Sequence, residues 1–252
     1  DAPTLTILDA RLDRGIYGCG KLPRLADSVS ASCELAARQP GHAAFLLVGD
    51  SHADSLKETM REEAARAGVG LRLMKENCAL GVNGCTIGAV LADADRHGIT
   101  TIILHAAPGM MKPEAAVALA KAASDRLISV ELVEPVPIWN SHVPQMLYLA
   151  RMSALPLASV PVQSEHSYQD SLRTLSDGLA RLGAPPNLRL HPVGPIFCGT
   201  GQCLLTDAAG KPLYFDSNHL TLTGARMLSS VFGRIFSEPS KSPSALLYTE
   251  EH

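Results

Sequence analysis

The feature that most constrains the fold is an alternation of short apolar runs with helical spacing that begins at Ala44. Ala44–Gly49 is apolar without a polar alternate, which reads as a central strand buried on both faces. Asp54–Ala67 then carries helical spacing through Leu56, Met60 and Ala64, with Gly68 as its C-cap. The pattern repeats. Strands are expected at Val69–Lys75, Ile99–His105, Ile128–Val133 and Asn187–His191. Helices are expected at Ile87–Arg96, at Pro113–Leu127 with Pro113 in its first turn, at Glu165–Leu182 and at Thr223–Phe236. Strands alternating with helices predict an α/β domain with a mainly parallel sheet. Ligands of such folds bind outside the carboxyl ends of the strands. Two stretches resist this reading. Residues 134–160 are Pro-rich and give no assignment, and Cys198–Phe215 looks like a hairpin excursion turning at Asp207-Ala208-Ala209-Gly210.

A chain of 252 residues suffices for one large core. The expected organisation is an irregular extension at 1–41 packing on the core, a domain at 42–237, and a flexible tail at 238–252. Hydrophobic residues at 46% and charged residues at 19% exclude a disordered chain. The net charge of −3, with no basic stripe, argues against nucleic acid as a partner. No apolar run reaches the roughly 18 residues of a membrane span. The opening Asp1-Ala2-Pro3 has no Met and no signal pattern, so the chain reads as a mature or excised fragment.

Six cysteines fall into three local pairs: Cys19 with Cys33, Cys78 with Cys85, and Cys198 with Cys203. Disulfides within these pairs imply an oxidising compartment such as a periplasm. Zinc is the rival reading, but the spacings do not supply a matched ligand set. Free thiols are the third.

Two short motifs carry the chemistry. Gly49-Asp50-Ser51-His52-Ala53 follows the first strand, and Asp216-Ser217-Asn218-His219-Leu220 precedes the last helix. Each alone is compatible with a helix cap or an Asx turn. Together they offer a nucleophile (Ser51), a base (His219) and an orienting carboxylate (Asp216). Ser51 also stands near a helix N-terminus, whose free N–H groups suit an oxyanion.

The pair resembles the SGNH hydrolase superfamily, in which a G-D-S block follows the first strand and a D-x-x-H block ends the domain. Pro135–Pro137 after a strand, the paired cysteines and Leu213–Ala225 narrow this further. They resemble the SGNH domains fused behind membrane acyltransferases of the acyltransferase-3 family, from about residue 44 to 236. The resemblance implies a three-layer α/β/α, flavodoxin-like fold and an N-terminal membrane acyltransferase domain in the same protein. It also implies a periplasmic location, as the soluble part of an inner-membrane protein. The acyl donor would come from the membrane domain, with no cofactor in this one. Two departures stand out. The place of the third block reads His105-Ala106-Ala107-Pro108-Gly109, without the superfamily's oxyanion Asn, and the second block has no clear counterpart. The Ser51 backbone N–H is therefore one expected oxyanion donor and the Asn77 side chain a candidate second.

His52 and His105 are candidate pocket residues, although local packing also explains His52. The remaining histidines, His42, His97, His142, His166, His191 and His252, read as surface or loop residues. Trp139 is either a sugar-stacking platform or a core anchor. No set of His, Cys, Asp or Glu has metal-ligand spacing, so no metal is expected. Three functions compete: an O-acyltransferase moving an acyl group, expected to be acetyl, onto a sugar hydroxyl of a surface glycan such as lipopolysaccharide; a periplasmic carbohydrate esterase or lipase using the same triad on water; and a non-catalytic glycan-binding module.

Overall fold

The computed structural model describes residues 2–20, 29–75, 78–81, 85–154, 163–199 and 201–237. The expected flexible tail, 238–252, and His252 with it, lies outside them. Helix α1 (Ala2–Asp9) and strand β1 (Ser32–Ala36) come first, within the stretch read from sequence as an irregular extension. Then follow β2 (Ala44–Gly49), α2 (Ser51–Ala67), β3 (Gly70–Met74), α3 (Ile87–His97) and β4 (Thr101–His105). Next come α4 (Pro113–Ser124), β5 (Ser129–Val133), α5 (Val143–Met152), α6 (Glu165–Leu182) and β6 (Leu188–His191). A single turn α7 (Gly194–Phe197) leads to the small ladder β7–β8 (Cys198–Gly199 and Gln202–Cys203). Helices α8 (Leu222–Arg226) and α9 (Ser229–Ser237) end the fold.

Among the described residues, six strands form the central sheet in the order β1-β3-β2-β4-β5-β6. All neighbours run parallel except β1, which pairs antiparallel with β3 at the edge. The parallel part is a doubly wound, flavodoxin-like order. The chain leaves β2 towards β3, then returns to lay β4 on the other side of β2. That reversal opens a crevice at the carboxyl ends of β2 and β4.

Every residue of β2 is buried, and period-two alternation divides them between two cores. Phe45 and Leu47 face Leu56 and Met60 of α2 and Phe232 and Phe236 of α9. Ala44, Leu46 and Val48 face Val90 of α3 and Leu119 and Ala120 of α4. This explains the unbroken apolar run: a strand between two helical layers has no polar side. Phe45 and Phe236 meet edge to face at 4.9 Å.

The Pro-rich stretch conceals a helix. In α5 the buried Val143, Leu147 and Ala150 repeat at helical spacing, behind Pro144 in the first turn. The closing helix is two helices, parted at Met227–Leu228, where the buried Leu228 accepts the N–H groups of Val231 and Phe232 to begin the next turn. The three cysteine pairs are the three disulfides: Cys19–Cys33, Cys78–Cys85 and Cys198–Cys203. Two histidines read as surface residues are instead built into the framework. His191 Nε2 lies 2.6 Å from the buried carboxylate of Glu131 across β5 and β6. His97 Nε2 lies 2.8 Å from the Ser30 hydroxyl. Tertiary packing brings polar partners together that lie 60 and 67 residues apart in the chain. No described helix is long and apolar enough to cross a membrane.

Candidate active site

The turn after β2 builds the first half of the site. Helix α2 starts at Ser51, three residues earlier than its apolar spacing indicates, because Asp50 supplies the cap. Asp50 Oδ1 accepts the His52 N–H at 2.9 Å, and Oδ2 accepts the Ala107 N–H at 3.0 Å from the loop after β4. The capping function thus belongs to Asp50, and the Ser51 hydroxyl is left for other chemistry. Ser51 occupies the first helical position, whose N–H has no intrahelical acceptor. Gly49 is required here: a Cβ on it would lie 1.7 Å from the His105 carbonyl oxygen on the neighbouring strand. Its own carbonyl accepts the Cys78 N–H at 2.7 Å, which ties the disulfide loop to the turn.

The second half is a closed turn between the Tyr214–Leu220 bridge and the Phe215 N–H to His219 carbonyl bond. Asp216 Oδ1 accepts the N–H groups of Asn218 and His219, both at 2.8 Å. Its other oxygen lies 2.7 Å from His219 Nδ1, and His219 Nε2 lies 2.7 Å from Ser51 Oγ. An ionised Asp216 accepts a hydrogen bond from Nδ1–H, so Nε2 is the basic nitrogen that faces the hydroxyl. Burial works to raise the Asp216 pKa. The hydrogen bonds from the His219 ring and the two backbone N–H groups outweigh it and hold the carboxylate at about 2.

Ser51, Asp216 and His219 are therefore brought into one hydrogen-bonded line across 168 residues of sequence. His52 and His105 lie beside it, both buried. The His52 ring centroid is 4.8 Å from that of His219 and 6.4 Å from that of His105. Burial, reinforced by the other imidazoles, lowers the His52 pKa to about 4. Burial lowers that of His105 as well. His105 Nδ1 lies 3.2 Å from the Val133 carbonyl, while His105 Nε2 and His52 Nδ1 have no hydrogen-bond partner. Asn77 lies outside the described residues. Among those described, no cluster of three His, Cys, Asp or Glu is placed to hold a metal.

Trp139 is 7% exposed and packs edge-on against Tyr214 at 5.6 Å, so it is a core anchor. Its backbone N–H donates to the Ser217 carbonyl at 2.7 Å, and the Val143 N–H donates to that of Asp216 at 3.1 Å. The loop before α5 thereby holds the Asp216 turn in place. A cleft of about 510 Å³ opens beside Trp139, bounded by Asn140, Ser164 and Ser167.

An element that sequence reasoning missed crosses the other side. Residues 13–19 form a strap over the His219 ring. Tyr17 meets that ring edge-on at 6.2 Å, while Phe215 stacks on its face at 5.5 Å. The Arg14 guanidinium lies 5.9 Å from the Tyr17 centroid and 5.2 Å from that of Phe215, within cation–π range. The strap is fixed at several points. Asp13 accepts the Thr223 N–H and hydroxyl. The buried Lys57 ammonium donates to the carbonyls of Ile16 and Gly18 and pairs with Asp54 at 2.9 Å. Asp54 in turn accepts the Gly18 N–H at 2.9 Å, and Cys19 is bonded to Cys33. The available signal was local: an aromatic between glycines, next to a cysteine, in Gly15-Ile16-Tyr17-Gly18-Cys19.

Fold and site together define a three-layer α/β/α domain with a Ser–His–Asp line at the switch point of its sheet. By sequence, residues 19–234 match the model of the SGNH domain that is fused to AT3 domains, and the chain belongs to that family. No curated protein matches it by sequence. Among solved structures it is similar to the periplasmic domain of the Salmonella ser. Paratyphi A lipopolysaccharide acetyltransferase. The TM-score is 0.65 at 17% identity, covering 93% of this chain and 96% of that one. At that identity the likeness shows the fold.

Proposed function

We propose that this chain is the O-acyltransferase domain of a larger protein, moving an acyl group, acetyl in the simplest case, onto a sugar hydroxyl of a surface glycan. The observation that carries this reading is the Ser51–His219–Asp216 line, standing in a domain of a family fused to membrane acyltransferases. The solved neighbour is itself part of a lipopolysaccharide acetyltransferase, which supports a polysaccharide acceptor. The three disulfides support an oxidising compartment, the periplasm.

The proposed chemistry needs two half-reactions. His219 Nε2 takes the Ser51 proton as Oγ attacks the acyl carbonyl, and the imidazolium returns that proton to the departing donor group. The acceptor hydroxyl then gives its proton to His219 and attacks the Ser51 ester. The acyl–oxygen bond to serine breaks, and Oγ recovers the proton. Asp216 keeps Nδ1 protonated and stabilises the imidazolium without itself taking a proton. The Ser51 N–H supplies one oxyanion donor, and Asn77 remains a candidate for another. The donor is delivered by the membrane acyltransferase domain, so the soluble part needs no cofactor of its own.

The test replaces the gene in its source strain with one encoding Ser51→Ala in the full-length protein. The ester content of the surface polysaccharide, read by NMR, is expected to fall at least ~100-fold. Unchanged ester content would leave only a glycan-binding module. Ester release by the wild-type chain without any transfer to polysaccharide would instead establish the esterase.

A further inference from the structure

Three rings surround His219, and they differ in one respect. Phe215 and His52 are buried, whereas Tyr17 is 42% exposed. Of these three rings, Tyr17 alone presents a large surface to solvent beside His219. Ile16, next to it in the chain, is 81% exposed. The surface is also rigid: strap residues 13, 16, 18 and 19 are each tied to the core by a hydrogen bond or a disulfide. An exposed aromatic ring held in a fixed position loses little entropy when a ligand packs on it.

We infer that Tyr17 is the acceptor platform: a pyranose ring of the acceptor glycan packs against it while the attacking hydroxyl sits at His219 Nε2. This rests on the acyltransferase reading, and it assigns the acceptor to the strap side of His219. The chemistry agrees. In the second half-reaction the acceptor must touch the base, so its binding surface has to adjoin His219. Sugar rings present C–H faces that pack on aromatic rings, with the amphipathic tyrosine supplying an apolar body and a polar tip. Like any tyrosine hydroxyl, that tip is a hydrogen-bond donor at physiological pH, and burial, aided by Asp216 and Asp54, pushes the phenol further up, to about 12. Trp139, the other aromatic that a sugar would favour, is largely buried, and the cleft that it lines is a competing site.

The experiment uses the full-length protein in a source strain lacking the gene, complemented with Tyr17→Ala, Tyr17→Phe, Ser167→Phe or Ser51→Ala. Tyr17→Ala is expected to cut polysaccharide ester content about tenfold, and Tyr17→Phe to keep it within about twofold. In parallel, the de-esterified polysaccharide of the gene-deleted strain is titrated against the purified 252-residue chain. Tyr17→Ala is expected to raise its Kd about tenfold at an unchanged thermal midpoint, which a purely structural role would not do. Equal ester content and Kd in Tyr17→Ala and wild type would overturn the inference. So would a Tyr17→Phe as impaired as Tyr17→Ala, failure of the wild-type chain to bind the polysaccharide, or loss of binding only in Ser167→Phe, which fills the cleft beside Trp139. Ser51→Ala keeps the two readings apart. If it retains acylation, the acyltransferase proposal falls. If it abolishes acylation while Tyr17→Ala does not, only the platform falls.

Discussion

Two regions meet at the Ser51–His219 pair, and they are held in place by opposite means. The turn after β2 is built on consecutive residues: strand, cap and helix meet within Gly49-Asp50-Ser51, and hydrogen bonds from Ala107 and Cys78 secure it from outside. The strap at 13–19 is almost wholly non-local. Its tethers come from Lys57, Asp54, Thr223 and Cys33, the nearest of them 14 residues away. Short-range structure shapes the turns that carry Ser51 and His219, and long-range contacts bring the two together and hold the strap beside them. A change in the turn should therefore strike chemistry directly, whereas a change in the tethers should act through stability and acceptor use.

The largest effect is expected from Asp216→Asn, which leaves the turn's shape intact but no longer fixes the His219 tautomer. Ester transfer should fall by about 10³-fold or more, with thermal stability nearly unchanged. A fall of less than tenfold would mean that the carboxylate merely shapes the loop. Next is Gly49→Ala. Its methyl group would meet the His105 carbonyl at 1.7 Å, so β2 and β4 must part. Urea unfolding should show a loss of about 4 kcal/mol, together with loss of activity. Retention of parental stability would show that the sheet can yield there.

On the strap side, Lys57→Met leaves Asp54 buried without its cation and frees two strap carbonyls. A loss of about 3 kcal/mol is expected, with activity falling more for polysaccharide than for a small aryl ester. Equal losses on both substrates would separate the strap from acceptor binding. The smallest effect concerns His52, which packs against the triad imidazole. Its folded pKa of about 4 lies below the ordinary 6.5. Between those values the unfolded chain binds a proton that the folded one refuses, so stability falls as pH drops through that window. The difference amounts to about 3 kcal/mol at its full extent, and only a fraction of it is felt near pH 6. His52→Phe should reduce this slope between pH 6.5 and 4, leaving the part due to His105, whose pKa burial also lowers. The Asp216 carboxylate, held at about 2, would be felt only below that window.

Much of the parallel frame was legible because burial on both faces leaves a strong mark. Ala44–Gly49 is an unbroken apolar run for that reason, and α6 shows its period over the full Glu165–Leu182. The motifs of the reactive line were legible because a strand-to-helix turn and an Asx-type turn are local. Helix α5 was not, since Pro135, Pro137 and Pro144 mask the start of its period. Edge strand β1 was not either: Ser32–Ala36 gains its strand character only by pairing with β3. Trp139 was ambiguous for a related reason, because a lone tryptophan gives no sign of which side it turns to water.

The sequence by itself marked the parallel strands, the three local cysteine pairs and the two motifs that carry Ser51, Asp216 and His219, since each rests on neighbours in the chain or on simple periodicity. The tertiary structure alone decided that Ser51 and His219 meet at 2.7 Å, that Trp139 is core, and that Tyr17 stands over the imidazole. Those outcomes depend on contacts such as Lys57 to Gly18 and Asp13 to Thr223, whose partners lie 39 and 210 residues apart. Only closure of the whole fold brings such residues within reach.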